Sequence, residues 1–172
     1  VDSVNLPILS NRPDLMTAGA KIVQVDSNAH HNILRTTEDR AYTWGTGSVG
    51  QLGLDESVTV TATPTVVPKG NYEKANSAVT YLENVRDVAA GGNHSLTSNI
   101  YYSNAVQDGK FGYIWAWGLN TSGPGDTSPS GQLGVLDVGG SSYLPIQAAQ
   151  REALTLVVDY LEVVNNTGVF SH

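Results

Sequence analysis

The stretch WGTGSVGQLGL, residues 44–54, decides how this sequence of 172 residues is interpreted. Gly45, Gly47 and Gly50 have the Gly-x-Gly-x-x-Gly spacing of a dinucleotide-binding turn, which requires a strand before it and a helix after it. Residues 57–67 instead alternate Ser or Thr with Val, Ala or Pro, and this β-branched, period-two pattern favours a strand. The structural context of a nucleotide site is therefore missing, and we reject that interpretation.

The same stretch occurs twice in the chain. WGTGSVGQLGL at 44–54 returns as WGLNTSGPGDTSPSGQLGV at 117–135, with Trp-Gly and Gly-Gln-Leu-Gly kept and the loop between them lengthened. Two further segments flank it in the same order in both copies: IVQVDSNAHHNIL (22–34) with VRDVAAGGNHSLT (85–97), and TPTVV (63–67) with LPIQ (144–147). The glycines therefore belong to an internal repeat, and a repeat of this length predicts supersecondary units packed side by side.

Each copy has the order strand, small-residue turn, His, strand, hairpin, Trp-Gly strand, Gly-Gln-Leu-Gly turn and Pro-containing exit. This order resembles the repeat of the regulator of chromosome condensation family, most closely at DVAAGGNHSL (87–96), WAWG (115–118) and GQLG (131–134). The resemblance implies an all-β fold made of consecutive blades of a seven-bladed-type β-propeller, incomplete in this chain.

We divide the chain into five parts on the basis of these repeats. They are the end of a preceding repeat (1–20), a first complete repeat (21–70), an inserted linker (71–83), a second complete repeat with loop insertions (84–149) and the start of a following repeat (150–172). Two complete units do not close a propeller, which has at least four blades. We therefore expect a segment of a larger repeat protein, unless several chains complete the propeller together.

Composition argues against several functional classes. Sixteen Asp and Glu against nine Lys and Arg give a net charge of −7 with no basic cluster, which disfavours binding to nucleic acid. The absence of cysteine removes disulfides, thiolate metal sites and cysteine nucleophiles. The sequence has no run of eighteen apolar residues, so we expect no membrane span. We also predict that the chain uses no cofactor.

The histidines and Ser95 form no recognisable metal-binding or catalytic pattern. His30 and His31 are adjacent, so on a strand they point to opposite faces, and His31 and His94 fall in different repeats. We expect partly buried histidines that hydrogen-bond the neighbouring turn rather than a metal site. Ser95 lacks the Gly-x-Ser-x-Gly context of an activated nucleophile, so we predict that the chain is not an enzyme.

Aromatic and polar residues in the repeats and their insertions are the candidates for binding. Trp44 and Trp117 occupy equivalent positions, and we expect them to pack inside the blades rather than to stack on a sugar. The inserted loops are the predicted partner-binding regions, because loops on a repeat scaffold carry recognition. The candidate residues in these regions are Tyr101, Tyr102, Tyr113, Asn120 and Asp126.

Two of these candidates raise specific questions. Asn120 begins a glycosylation sequon, and we expect it to be exposed in a surface loop. Asp126 is the single carboxylate of GPGDTSPSG, which is few for a calcium site, so we expect a flexible loop there. Whether these loops bind calcium or sugar stays open.

The family resemblance implies a non-enzymatic scaffold that binds other proteins or further copies of the same assembly. Long repeats rich in Thr, Ser, Gly and Asn and lacking Cys are similar to propeller modules of large bacterial surface or secreted proteins, so we expect an extracellular or cell-surface location, with the cytoplasm as the alternative. Two other functions stay open. One is a carbohydrate-binding accessory module of a secreted protein, and the other is an intracellular propeller that acts as an exchange factor for a GTPase.

Overall fold

The computed structural model describes residues 18–70, 80–102, 110–121, 128, 130–135 and 140–148. These residues form eight strands: β1 (Ile22–Asn28), β2 (His31–Thr36), β3 (Ala41–Thr46), β4 (Val60–Val66), β5 (Val85–Ala90), β6 (His94–Tyr102), β7 (Lys110–Leu119) and β8 (Ser141–Gln147). The predicted all-β class is confirmed. Over the same residues, no helix has the length and apolar character needed to cross a membrane.

The strands form two four-stranded antiparallel sheets. Each strand pairs with the next one along the chain, in the orders β1-β2-β3-β4 and β5-β6-β7-β8. This up-and-down arrangement is that of propeller blades, as the sequence repeat predicted. We call the two sheets the first blade and the second blade. The predicted partial repeats at the two ends of the chain lie almost entirely outside the described residues.

The two blades have the same strand register. His31 lies opposite Gly45 in the first blade, and His94 lies opposite Gly118 in the second. Each blade also has one register shift between its first and second strands and another between its third and fourth strands. The sequence repeat is therefore a structural repeat, and residues of the two blades can be compared position by position.

The Gly of each Trp-Gly pair is required by a close backbone contact. Gly45 has a φ of 109° and Gly118 a φ of 106°, which are left-handed values that side chains rarely tolerate. A Cβ on Gly45 would lie 2.5 Å from the carbonyl oxygen of His30, and a Cβ on Gly118 would meet the carbonyl oxygen of Asn93 in the same way. Glycine therefore lets the third strand pass close to the turn that precedes the repeat histidine.

A cluster of buried hydrophobic residues lies between the two blades. Strand β5 packs against β1 and β2. The buried cluster takes residues from both blades and from the connection between them: Ile33, Ala41, Val67, Leu82, Val85, Val88, Trp115 and Trp117. Removing these side chains from water is the main force that holds the blades together.

The central hairpins of the two blades differ in length. In the first blade, the Thr36 N–H donates to the Arg40 carbonyl at 3.1 Å and a tight turn closes the hairpin. In the second blade, β6 and β7 continue to pair beyond the equivalent position as far as Tyr102 and Lys110. The longer hairpin lies in the second repeat, for which the sequence predicted loop insertions. We call residues 100–102 and 110–112 the ribbon.

Candidate functional site

A cluster of buried polar groups lies where the Gly-Gln-Leu-Gly turn of the first repeat contacts the second blade. We call this contact, at residues 50–53, the joint. The Gly53 N–H donates to the Gly50 carbonyl at 2.9 Å, which closes the turn. Gly53 has a φ of 68°, and a Cβ there would lie only 2.7 Å from Nε1 of Trp117. Glycine therefore allows the turn to lie directly against the indole ring.

One carbonyl group in the joint accepts two hydrogen bonds from the second blade. Nε1 of Trp117 donates to the carbonyl oxygen of Gln51 at 3.0 Å, and the Ser95 hydroxyl donates to the same oxygen at 2.9 Å. All three residues are buried. A buried donor that loses its acceptor pays the full desolvation cost, so this carbonyl orients both side chains.

His31 of the first blade completes the network. Its Nε2 lies 2.9 Å from Oγ of Ser95, and both side chains are buried. Because the Ser95 proton is donated to Gln51, Oγ accepts a hydrogen bond from Nε2–H of His31. Nδ1 of His31 is then the unprotonated nitrogen, and it has no hydrogen-bond partner in the described part of the chain.

Burial lowers the pKa of His31, so the ring favours its neutral form. The neighbouring His94 and His30 lower the pKa further, while Asp26 raises it. In a catalytic dyad, histidine accepts the serine proton. Here His31 is the donor and the serine proton points to a carbonyl, so the pair connects two blades and does not activate a nucleophile.

Both ends of β5 are also attached to the first blade by polar contacts. At one end, Oδ2 of Asp26 accepts a hydrogen bond from the Ala90 N–H at 2.8 Å. At the other end, the carbonyl of Asp39 accepts one from the Val85 N–H at 2.9 Å, and its carboxylate lies 2.8 Å from Nη1 of Arg86. The two blades are therefore held in one orientation along the whole of β5.

The structure separates the predicted partner-binding residues. Tyr101 and Tyr102 lie in β6, in the part that forms the ribbon. Tyr113 follows the ribbon in β7, where it is half-buried and packs against the core between the blades. Asp126 lies outside the described residues. Among the candidates that the structure describes, Tyr101 and Tyr102 are consecutive residues of one strand.

The expectation that Asn120 is exposed is wrong. Its side chain is buried, its Nδ2 donates to the Val135 carbonyl at 3.0 Å, and its Oδ1 accepts from the Leu133 N–H at 3.1 Å. Asn120 therefore holds the second Gly-Gln-Leu-Gly turn in place. The glycosylation motif does not predict this role, because it contains no information on whether the side chain is buried or on which distant groups it bonds.

The predictions for the repeat histidines and tryptophans have mixed outcomes. Trp117 is fully buried, as expected for a packing residue, whereas Trp44 is half-buried. His31 is buried as expected, but its partner is Ser95 of the next blade rather than the adjacent turn, so that part of the prediction is wrong. Among the residues that the structure describes, no group of three His, Asp or Glu side chains is placed to bind a metal.

Sequence reasoning missed Ser95 as a structural residue. The position that matches Ser95 in the first repeat is Asn32, since both lie opposite the tryptophan of their own blade. The two repeats therefore differ at this position, and the hydrogen-bond partner of Ser95 lies 64 residues away. The sequence does show a serine hydroxyl next to the repeat histidine. Which groups that hydroxyl bonds depends on how the two blades pack.

Comparison with known proteins agrees with this architecture. Residues 38–97 match the family described as regulator of chromosome condensation (RCC1) repeat. The matched region runs from the central turn of the first blade into β6 of the second. Over 138 residues, or 79% of its length, the chain is 29% identical to a human protein named probable E3 ubiquitin-protein ligase HERC3, of which it spans only 10%.

Solved structures share the fold at low sequence identity. Human WBSCR16 matches with a TM-score of 0.52 and 22% identity, over 76% of this chain and 26% of that one. Prp20p from Saccharomyces cerevisiae, a structure described together with its binding to Gsp1p and histones, matches with a TM-score of 0.53 and 15% identity, over 80% of this chain and 27% of that one. The chain thus spans about a quarter of these solved chains.

Proposed function

Since the chain carries RCC1-type repeats folded as consecutive propeller blades, we propose that it is a non-enzymatic scaffold that binds another protein. The observation that carries this proposal is the ribbon, which extends the second blade beyond its four-stranded part. Its sequence contains Ile100-Tyr101-Tyr102 on one strand and Lys110-Phe111-Gly112 on the other.

Beyond Ile100, whose N–H donates to the Asn84 carbonyl at 3.1 Å, the ribbon is not paired with β5 or β8 in the described part of the chain. Pairing of β5 with β6 stops at Asn99, and pairing of β8 with β7 stops at Trp115. Beyond these positions, Tyr101 pairs with Phe111 and Tyr102 with Lys110. A strand edge can add an extended segment of a partner by main-chain hydrogen bonds, and tyrosine and phenylalanine are enriched in protein interfaces.

The joint holds the blade from which the ribbon extends. Recognition loops act best when a rigid scaffold orients them, because less freedom is then lost on binding. The buried network of Gln51, Ser95 and Trp117 attaches the second blade to the first, and the ribbon continues the β6–β7 hairpin of that blade. The binding that is described for Prp20p supports protein as the class of ligand. The repeat composition supports a secreted or cell-surface location.

A photo-crosslinking experiment tests the ribbon. Benzoylphenylalanine is placed at Tyr102 of the full chain and, as the matched control, at Ser57, an exposed loop residue of the first blade. We expect extracts of the source cells to give a protein adduct from Tyr102 and none from Ser57. Identical adducts from both positions would indicate nonspecific capture.

The captured protein is then purified and titrated against the chain by calorimetry. We expect the double variant Tyr101→Ser/Tyr102→Ser to weaken binding by about tenfold or more, because aromatic residues dominate interface energies. Val60→Thr changes an exposed side chain of β4 and should leave the affinity unchanged. Equal affinities for the wild type and the double variant would overturn the assignment to the ribbon.

A glycan array separates the carbohydrate-binding alternative. The scaffold proposal predicts no specific glycan signal from the purified chain. Specific binding that Tyr113→Ala abolishes would favour an accessory carbohydrate-binding module, because Tyr113 lies next to the ribbon and is accessible in part.

A further inference from the structure

The charged residues of the two blades are distributed unequally between the two ends of the strands. We call the end at which β1, β3, β5 and β7 begin the ribbon end, because the ribbon extends from it, and the opposite end the joint end. The Lys and Arg residues that the structure describes all lie at the ribbon end: Lys21, Arg35, Arg40, Lys69, Arg86 and Lys110. Within the same described ranges, the joint end therefore has no Lys or Arg.

Acidic residues, in contrast, occur at both ends. Those that the structure describes are Glu38, Asp39, Glu83 and Asp87 at the ribbon end, and Asp26, Asp55 and Glu56 at the joint end. Among the described residues, cationic side chains thus outnumber acidic ones at the ribbon end, although the whole chain has a net charge of −7. Such an uneven distribution attracts a partner of opposite charge to one end of the molecule.

Arg35, Arg40 and Arg86, which we call the arginine cluster, are held in place at the ribbon end. Oδ1 of Asp39 lies 3.4 Å from Nη1 of Arg35, and its Oδ2 lies 2.8 Å from Nη1 of Arg86 in the other blade. The Cζ of Arg40 lies 4.1 Å from the centroid of the Tyr81 ring, and Nη2 donates to the Tyr81 hydroxyl at 2.8 Å. Because these contacts orient the guanidinium groups, less side-chain freedom is lost when a ligand binds them.

The arginine cluster keeps positive charge at the surface. Glu38 lies 3.5 Å from Arg40, and the Asp39 carboxylate is shared between the two other arginines. One carboxylate does not balance the charge of two guanidinium groups. Arg86 is the most accessible of the three arginines, with 35% of its side chain exposed, so it is the member that a partner reaches first.

One edge of the ribbon leads to the arginine cluster. The Ile100 N–H donates to the Asn84 carbonyl at 3.1 Å, and Asn84 has a left-handed φ of 57°. Before Asn84 the chain runs beside the first repeat, where the Leu82 N–H donates to the Val67 carbonyl at 2.9 Å. Over the residues that the structure describes, the β6 edge of the ribbon therefore has no neighbouring strand from Tyr101 outward.

The direction of the backbone groups determines where a segment added to this edge would lie. The N–H groups of a strand point alternately to its two sides. Since the Ile100 N–H points towards β5, the N–H of Tyr102 also points away from β7. A segment that pairs with Tyr102 is thus in line with β5, and one of its ends lies next to Asn84, two residues before Arg86. Side chains at that end meet the arginine cluster.

We propose that the partner segment bound by the ribbon is acidic at the end that meets the arginine cluster. This inference rests on the protein-binding function proposed above and adds the chemistry of the partner. A guanidinium group binds a carboxylate through two parallel hydrogen bonds, so Asp and Glu are the side chains that fit the cluster. Main-chain pairing along the ribbon supplies affinity, and the cluster selects the charge of the segment.

Fluorescence anisotropy with labelled peptides tests the charge preference. The probes are two short peptides of equal length, in which valine alternates with glutamate or with lysine, and the full chain is titrated into each. We expect the glutamate peptide to bind and the lysine peptide not to bind. Raising the ionic strength from about 0.01 to 0.15 M should weaken binding, because the screening length falls from ~30 to ~8 Å. Equal binding of the two peptides, or no binding of the glutamate peptide, would overturn the proposal.

Two variants with the same change in net charge locate the binding site. Arg86→Gln and Ser57→Glu each make the chain more negative by one charge, but Ser57 is an exposed residue of the joint end. Arg86→Gln should weaken binding of the glutamate peptide by about two- to fivefold, as expected for an ion pair at a partly exposed site. Ser57→Glu should leave the affinity unchanged, and circular dichroism checks that both variants fold. Equal losses of affinity would indicate general charge repulsion and contradict the proposal.

The double variant Tyr101→Ser/Tyr102→Ser separates this inference from the function on which it rests. We expect both this variant and Arg86→Gln to weaken binding of the glutamate peptide. A loss confined to Arg86→Gln would contradict the ribbon as the binding element, whereas a loss confined to the tyrosine variant would overturn the acidic partner. A labelled oligothymidine is the last probe. If it bound through Arg86 more tightly than the glutamate peptide does, the cluster would be a nucleic-acid site and the proposal would fail.

Discussion

The first and second blades of this protein are two copies of one unit that differ mainly in what covers them. Trp44 and Trp117 lie at equivalent positions of the third strand of their blades, opposite equivalent positions of the second strand, yet of the two only Trp117 is fully buried. The difference arises because the first blade covers the second. Burial in a repeat protein is thus a property of the neighbouring repeat as well as of the residue.

The strongest test of this comparison removes each tryptophan in turn. Trp117→Ala should lower the free energy of unfolding by about 3–5 kcal/mol, because it leaves a cavity in the core between the blades. Trp44→Ala should lower it by less than half as much, since that side chain is half-buried. Urea denaturation of the two variants measures the difference, and equal losses would contradict the assignment of the core to the contact between blades.

The glycines that end the two turns provide the next comparison. Gly53→Ala and Gly134→Ala both force a left-handed residue to carry a side chain, which costs about 1–2 kcal/mol. At Gly53 the new methyl would also overlap with Trp117, and overpacking adds about 1–3 kcal/mol. Gly53→Ala should therefore be the more destabilising variant in thermal unfolding. A larger effect of Gly134→Ala would show that the joint adapts to the added methyl.

A smaller effect is expected at the residue that follows each repeat histidine. Ser95→Ala removes the acceptor of the His31 N–H and should cost about 1–3 kcal/mol, because it leaves a buried donor unpaired. Asn32→Ala changes the equivalent residue of the first blade, which is half-buried, and should cost less. Denaturant titration of both variants checks the order, and a neutral Ser95→Ala would mean that the buried network adds no stability.

The smallest predicted effect concerns pH. Burial lowers the folded-state pKa of His31 and of His94 below the ordinary value of 6.5. Above that value both rings are neutral in the folded and in the unfolded chain. The two histidines therefore do not contribute to the pH dependence of the free energy of unfolding there. As pH falls below 6.5, the unfolded chain binds protons that the folded chain does not, so stability falls until the folded-state pKa is passed.

Substitution of His31 checks this sign. Glutamine can donate a hydrogen bond to Ser95 in place of the ring, but it does not titrate. Between neutral and mildly acidic pH, the His31→Gln variant should therefore lose less stability than the wild type. His94→Gln, at the equivalent histidine, is the matched comparison and should also flatten the profile. If the variants instead lost stability more steeply than the wild type as pH falls, folding would raise rather than lower the pKa of these histidines.

The fold was largely predictable from the sequence, whereas the buried polar contacts were not. The recurrence of Trp-Gly and Gly-Gln-Leu-Gly predicted two all-β units in the right order, because backbone contacts at Gly45 and Gly118 demand glycine in every copy. The exposure of Asn120 was predicted wrongly, because its partners are backbone groups 13 and 15 residues away. A local sequence pattern does not predict hydrogen bonds between residues this far apart in the chain.

The sequence by itself determined the repeat, the strand order and the turn glycines of this protein. These features depend on local backbone sterics and on side-chain alternation, which every copy of the unit carries with it. Only the tertiary structure decided that Ser95 bonds His31, that Trp117 is covered while Trp44 is half-exposed, and that Val25 and Ile114 stay at the surface. The physical reason is that identical units acquire different environments from the blades that pack beside them.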